Sequence, residues 1–510
     1  MISHLHGTHA PFELADDVLY FHDWRHVSHG GYDYTDAAGR SIPMWGAAPH
    51  PQAFYRQHDV PWGIELVARR PALSEPVLLP DACGVMFLFA GSLIHDDGVY
   101  RLWVEGWPSD DLAEVGHLNQ LRYAESDDGT TWRFPELGLL PHTGLGPNNH
   151  VIGRPLNERY GFHGGGVYKD PSAPPAERYK AVWLGTIPRA DADAYRRRWP
   201  DDADPGADRG GPTVWGPCGA VSPDGLSWKV LDEPLLINIS DNHNVCEYDP
   251  VRQRHVMYTR TWVMGRRTIG RSETADFRHF PQPEEVFWPG TPAMKPGDLW
   301  YCNGKTRMPG TRDYHLMFPM LWSLQDDRFE FHLASSPDNV MWSLVPGSPI
   351  CTPGEPDTWN GGLVAPGLGL VNLPGERTGV LVCGCRTPHK HPRRPPYGAL
   401  GWATWPRGRL VALRAAEHGS FATFPLRTRG AHVFLNCRTP ASGMIQVEVV
   451  GPDGKVVNGR GLEDCDAIAG DFLHRPVTWH GESGAGIEPG QPFALRFRLR
   501  CAELYAVHFA

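Results

Sequence analysis

The sequence predicts an all-β protein, a five-bladed β-propeller followed by a C-terminal β-sandwich. Three observations carry this reading. A pattern of serine, acidic turn and aromatic residue returns four times between residues 121 and 345. Gly and Pro number 57 and 49 in 510 residues without low-complexity runs, which suits short strands and tight turns. After about Gly419 the texture changes to clean apolar–polar alternation.

The repeated pattern reads Ser126-Asp127-Asp128-Gly129-Thr130-Thr131-Trp132, then Ser222-Pro223-Asp224-Gly225-Leu226-Ser227-Trp228. It returns loosely from Ser272 to Phe280 and more closely as Ser336-Pro337-Asp338-Asn339-Val340-Met341-Trp342. The module is therefore roughly 50 to 70 residues long with insertions, the period of propeller blades. An Asx side chain bonds its own backbone and Gly accepts positive φ, so the turn reverses two strands cheaply, while the aromatic residue fills space between neighbouring sheets. One such unit cannot bury both faces, so several must close into a ring.

The elements follow in order. Residues 1–75 form an N-terminal extension rich in His, Trp and Pro, in which Ile64–Ala68 is the candidate strand to finish the last blade. The propeller takes residues 76–418. Blade one runs from about Asp81 to Leu140 around the turn His95-Asp96-Asp97-Gly98, and blade two from about His163 to Leu236. Blade two carries the charged insertion Arg189–Gly211, whose start is a candidate short helix and which reads equally as a lid or as a solvated loop. Blades three, four and five span about Asp241–Trp288, Tyr301–Ile350 and Trp359–Ala412. In residues 419–510, Ile445–Val450 and Phe493–Leu499 alternate apolar and polar residues, the mark of a half-buried antiparallel sheet.

A formal charge of −10 with pI near 6.2 argues against nucleic acid or an anionic membrane as partner. No apolar run reaches the roughly 20 residues needed to span a bilayer, and Met1–Asp17 lacks the layout of a secretory signal. A cytoplasmic protein is expected, with its ten cysteines reduced and no structural zinc, since no Cys-x-x-Cys pair occurs. The composition leaves the oligomeric state open.

Tyr123–Gly129, Asp241-Asn242-His243-Asn244-Val245, and Gly461–Asp466 with Leu504-Tyr505-Ala506 carry a resemblance to the five-bladed propeller glycosidases, the group of glycoside hydrolase families 32, 43 and 68, and within it to a "family 32-like" bacterial branch. The resemblance implies three carboxylates at the openings of successive inner strands and a sugar or oligosaccharide substrate in the central funnel. The family's Trp-Met-Asn-Asp-Pro, Arg-Asp-Pro and Glu-Cys-Pro stretches are absent. At the matching openings stand His163, His243, Asn303 or Lys305, and Asn360, with Asp81, Asp241 and Asp357 nearby.

Asp81, His163, Asp241, His243 and Asp357 are therefore the candidate catalytic residues. Carboxylates sharing a desolvated pocket would supply the acid and base for glycoside hydrolysis. His163 and His243, with Lys305, would instead run proton transfer in a lyase, isomerase or cyclase, and a ligand-binding propeller without chemistry is the third reading. No cofactor is expected; a divalent metal on the histidines is the minority account. Trp107, Trp262 and Trp359 are candidate stacking platforms, and Arg260, Asn303, Lys305, Arg307 and Asn360 candidate ligands for hydroxyls or an acid group.

Overall fold

The computed structural model describes residues 11–29, 33–35, 41–43, 60–85, 87–107, 119–141, 146–153, 160–208, 210–292, 294–391, 397–452 and 454–510. Strands dominate them, and the one α-helix among them is Arg189–Arg198. The chain divides into two compact units, Arg70–Leu344 with Ser348–Trp405, and Met1–Arg69 with Val345–Gly347 and Pro406–Ala510.

The first unit is a succession of antiparallel sheets. Sheet 1 joins Phe87–Asp96, Val99–Trp107, Gln120–Ser126 and His150–Ile152. Sheet 2 joins His163–Lys169, Tyr179–Pro188, Thr213–Ser222 and Lys229–Val230, and sheet 3 joins Val245–Asp249, Arg254–Val263, Arg266–Thr274 and Glu284–Glu285. Asp298–Cys302, Met320–Ser323 and Arg328–Phe331 make sheet 4; Lys305–Arg307, His315–Met317, Ala334–Ser336 and Ser343–Leu344 make sheet 5. These two lie end to end along the same chain segments. The ladder breaks where Gly304 turns at φ +53° and where Pro319 has no N–H to give. Sheet 6 joins Leu363–Pro366, Arg377–Cys385, Ala399–Pro406 and Ala72–Leu73, with Val371–Leu373 beside Arg377–Cys385.

The first strands of these sheets are laced to one another. Leu93 N–H donates to Leu368 O at 2.7 Å and Leu368 N–H to Gly91 O at 2.9 Å. Val167 N–H donates to Ser92 Oγ at 2.7 Å, Asn244 N–H to Gly164 O at 2.9 Å, Asn303 Nδ2 to His243 O at 2.8 Å, and Leu370 N–H to Thr306 Oγ1 at 2.9 Å. Between sheets the core is aromatic: Trp103, Tyr123, Tyr160, Phe162, Tyr179 and Trp183 form one buried cluster.

The serine turns form as the pattern requires. Ser222 Oγ accepts from Gly225 N–H at 2.9 Å, and Asp224 Oδ1 accepts from Leu226 and Ser227 N–H, both at 2.8 Å. Ser126 with Asp128 repeats this arrangement. Each turn also docks a neighbouring sheet. Trp103 Nε1 donates to Gly225 O, Trp402 Nε1 to Gly129 O, both at 2.7 Å, and Tyr258 OH to Asn339 O at 2.8 Å.

The charged insertion is held down. Asp204 N–H donates to Ile237 O, and Arg189 and Arg196 both pair with Asp208. Its helix begins at Arg189, close to the expected Ala190.

In the second unit seven strands share one hydrogen-bonded sheet around Ala494–Phe509. This long strand pairs with Met444–Val450 through its first half, with Val433–Arg438 through its second half, and with Val411–Ala422 on the other side. It changes partners at Cys501, which takes φ +44° opposite the register break between Ala415 and His418. Two expectations change here. Glu65–Ala68 pairs with Val411–Ala422 in this sheet; the N-terminal strand that completes sheet 6 is Ala72–Leu73. The units part after Trp405, so the strand Val411–Ala422 runs through the boundary expected at Gly419. No helix among the described residues is long and apolar enough to cross a membrane.

Candidate functional site

His163 opens the first strand of sheet 2, and its imidazole lies between two carboxylates. Nδ1 is 2.8 Å from Glu105 Oε1 and Nε2 is 3.0 Å from Asp241 Oδ1. Asp241 Oδ2 also accepts from Arg260, whose Nη2 donates to Tyr301 O at 2.7 Å. The guanidinium stacks on the Tyr301 ring at 4.2 Å. The row runs carboxylate, imidazole, carboxylate, guanidinium, so each charge has an opposite neighbour.

Glu105 is 4% exposed and saturated with donors. Its Oε1 accepts from Asn119 Nδ2 at 2.6 Å and Trp107 Nε1 at 3.2 Å besides His163, and its Oε2 accepts from Gly164 N–H at 2.7 Å. Gly164 is required here: it takes φ +58°, and a Cβ would stand 2.6 Å from Asp241 O. Asp241 and His163 remain reachable, their side chains 29% and 25% exposed.

Electrostatics separate the two histidines. Burial works against a proton on His163, but Glu105 and Asp241 outweigh it and push its pKa up to about 10. His243 is buried and next to Arg260, and both effects lower its pKa to about 4. Its Nδ1 is sealed without a hydrogen-bond partner, and its backbone takes φ +45°, an uncommon conformation held by the bond from its N–H to Asn242 Oδ1 at 2.9 Å. Burial opposes the charge of both carboxylates. His163 nevertheless lowers Glu105, and Arg260 with His163 holds Asp241 well below the usual carboxylate range.

Of the residues singled out from the sequence, His163, Asp241, His243, Arg260 and Asn303 come together here. Asp81 and Asp357 do not join them. Asp81 is exposed in the 3-10 turn Pro80–Cys83, where its carbonyl accepts from Gly84 N–H, and Asp357 is exposed at φ +67°. No hydrogen bond or ion pair links either to the row among the described residues, because each aspartate shapes a turn instead. Lys305 and Arg307 belong elsewhere: both pair with Glu247, at 2.8 and 3.0 Å.

Trp107 is buried and spends its N–H on Glu105, and Trp359 covers Gly384 and Gly401 inside sheet 6. Asn360 is buried in a turn with Thr358. Trp262 is the open platform, 38% exposed, with Arg267 over its ring and over Tyr301 and Trp322. Sequence reasoning missed Glu105, Asn119 and Arg267. A lone carboxylate inside the apolar run Leu102–Trp107 was the available signal for Glu105. Among the described residues no group of three or more His, Cys, Asp or Glu is placed to hold a metal ion.

No protein-family model matches the chain, and neither does any curated protein sequence. Solved structures do. An N-acetylgalactosamine deacetylase from F. plautii is similar at TM-score 0.44 and 12% identity, covering 67% of this chain and 95% of the other. A family-43 glycoside hydrolase follows at 0.43 and 12%, covering 64% and 91%, and the Bombyx mori GH32 beta-fructofuranosidase at 0.39 and 12%, covering 86% and 94%. At these values the likeness carries nothing about this chain's activity.

Proposed function

We propose that the chain is an enzyme acting by acid–base chemistry on a sugar or sugar-like acid at the His163–His243 site. One arrangement carries this reading: at adjacent strand openings His163 lies between the carboxylates of Glu105 and Asp241, which favour its proton, whereas His243 is buried near Arg260, which disfavours one. Titratable groups forced apart in this way mark an acid and a base. Glu105 is a positioning residue: Asn119, Trp107 and Gly164 N–H hold its carboxylate against His163 Nδ1. Asp241 and Arg260 hold the other side of that ring, and a ligand displacing Asp241 would meet the Nε2–H of a charged imidazole. His243 would take a proton from carbon or oxygen, while His163, Arg260 and Arg267 offset the negative charge that develops. Trp262 offers a stacking face beside these cations.

The architecture behind this reading is a five-bladed propeller. Sheets 4 and 5 count as one blade broken at Gly304 and Pro319, and the lacing bonds close the ring. The long strand Ala494–Phe509, serving two sets of partners on either side of Cys501, fits a β-sandwich.

Glycoside hydrolysis is the second reading, favoured by Glu105 and Asp241 standing on two sides of one imidazole. Both carboxyls are held ionised, so the proton for a leaving group would come from His163 rather than from a carboxylic acid.

The test is incubation with sugar acids and chromogenic glycosides in D2O. Solvent deuterium entering a carbon position, or an unsaturated product, is the expected result, and glycoside cleavage alone would select hydrolysis. Neither reaction in the wild type, or unchanged turnover in His243→Ala, would overturn the proposal.

A further inference from the structure

A cavity of about 450 Å³ lies farther along the first strands of the same sheets. His163 belongs to the site above, whereas Gly166–Lys169 line the cavity; likewise His243 gives way to Val245–Tyr248, and Asn303 to Lys305–Met308. The lacing bonds at Gly91, Gly164 and Asn244 fall between the two sets. The cavity is thus a separate space, and its volume lies within the roughly 300–1,000 Å³ of small-molecule sites.

Its lining combines apolar walls with uneven charge. Leu93, Val167, Met308, Leu368 and Leu370 are buried apolar residues that face it. The charged lining residues are Lys169, Lys305 and Arg307 against the single carboxylate Glu247. Lys169 is paired with Asp96 at 2.6 Å, and Lys305 with Glu247. Arg307 shares that same Glu247. Its Nη2 bonds Glu247 and the Tyr248 carbonyl, its Nε is buried without a partner, and its Nη1 makes no hydrogen bond among the described residues. His315, held neutral by burial with a pKa of about 4, adds no charge near neutral pH. Buried Lys305 and half-buried Arg307 therefore share Glu247 as their hydrogen-bonded carboxylate, with buried Asp249 also acting on both, and a donor on the planar guanidinium is left over.

We propose that this cavity is a second binding site, for a small molecule that joins an apolar body to one carboxylate or phosphate group. The anion meets Arg307 Nη1 and the body lies against Leu93, Met308 and Leu368. The site is independent of the chemistry at His163.

Calorimetric titration of the full chain with hexanoate, hexyl phosphate and neutral hexanamide tests it. One or both anions should bind at a single site, and hexanamide about tenfold more weakly or not at all. Binding should survive in His163→Ala and fall about tenfold or more in Arg307→Met. Pro171 is exposed where it lines the cavity, so Pro171→Trp should block binding without disturbing packing, which keeps the test valid should Arg307→Met fail to fold. The proposal is overturned by no binding of either anion to the wild type, by undiminished binding in Pro171→Trp, or by loss of binding in His163→Ala.

Discussion

The row from Glu105 to Arg260 makes His163 a stability switch as well as the candidate acid. Its folded pKa is raised above the ordinary value of 6.5 to about 10, so the stabilisation is fully present below pH 6.5 and is lost as pH rises through 10. Urea midpoints of the wild type should therefore fall between pH 6.5 and 10. His163→Gln should begin lower and change less across that window. A wild-type profile that is flat there would show that the imidazole is not charged in the folded protein. His243 has the opposite sign: its folded pKa is lowered to about 4, so its cost to stability grows as pH falls from 6.5 and saturates below 4. For turnover, both groups are in the required state between about 4 and 10, which predicts a broad plateau of kcat/KM with losses at both ends. A single sharp optimum near neutrality would contradict the assignment. At this scale the grouping of His163, Asp241 and His243 could be anticipated because polar residues stand where the first strands of sheets 2 and 3 open. Asp81 and Asp357 stand apart from the row because an aspartate before a strand shapes turns as readily as it does chemistry. Glu105 was hidden because it sits in mid-strand, and only the fold brings Asn119, Gly164 and His163 onto it.

The serine turn was the most legible element, since every contact inside it is local: serine oxygen to the glycine N–H, aspartate oxygen to the two N–H groups that follow. Its long-range duty was not legible. Trp103, Tyr258 and Trp402 reach the turns from residues 122, 81 and 273 positions away, and no spacing in the chain announces those partners. The looser copy shows how the local chemistry survives a shift of frame: Thr274 Oγ1 accepts from Asp276 N–H and Asp276 Oδ1 from Arg278 N–H, so the turn begins two residues after Ser272. Trp402 is the instructive case, because its N–H ties sheet 6 to sheet 1, the last sheet to the first. Trp402→Phe keeps most of the packing but leaves the Gly129 carbonyl without its buried donor, a loss of about 1–3 kcal/mol. Chemical denaturation should show that loss with an unchanged slope. Loss of less than about 0.5 kcal/mol would mean that water replaces the indole and that the bond does not hold the sheets together.

The two compact units were only partly visible in the chain, because the second is assembled from both ends of it: Glu65–Ala68 and Val18–Tyr20 pair with strands more than 300 residues away, and no local pattern specifies such partners. The cysteines offer a way to read the division in solution. All ten are free; nine are buried and Cys501 is half-exposed. Cys83, Cys218, Cys246, Cys302, Cys351, Cys383 and Cys385 belong to the unit of sheets 1 to 6, and Cys437, Cys465 and Cys501 to the other. Burial pushes the thiols of Cys83, Cys218 and Cys246 up, which removes the reactive thiolate, and a reagent cannot reach them until their strands open. Native protein should therefore show about one fast-reacting thiol and fully denatured protein ten. Between those limits, pulse labelling along a denaturant series should release the buried thiols in two groups, Cys437 and Cys465 in one and the seven of the sheet unit in the other, each group rising together because each core opens as a whole. Mass spectrometry of the labelled peptides distinguishes the groups. Seven thiols appearing one at a time would mean that the sheets open singly and that the bonds between their inner strands do not make one cooperative ring. All nine rising at the same denaturant concentration would mean that the two units stand or fall together.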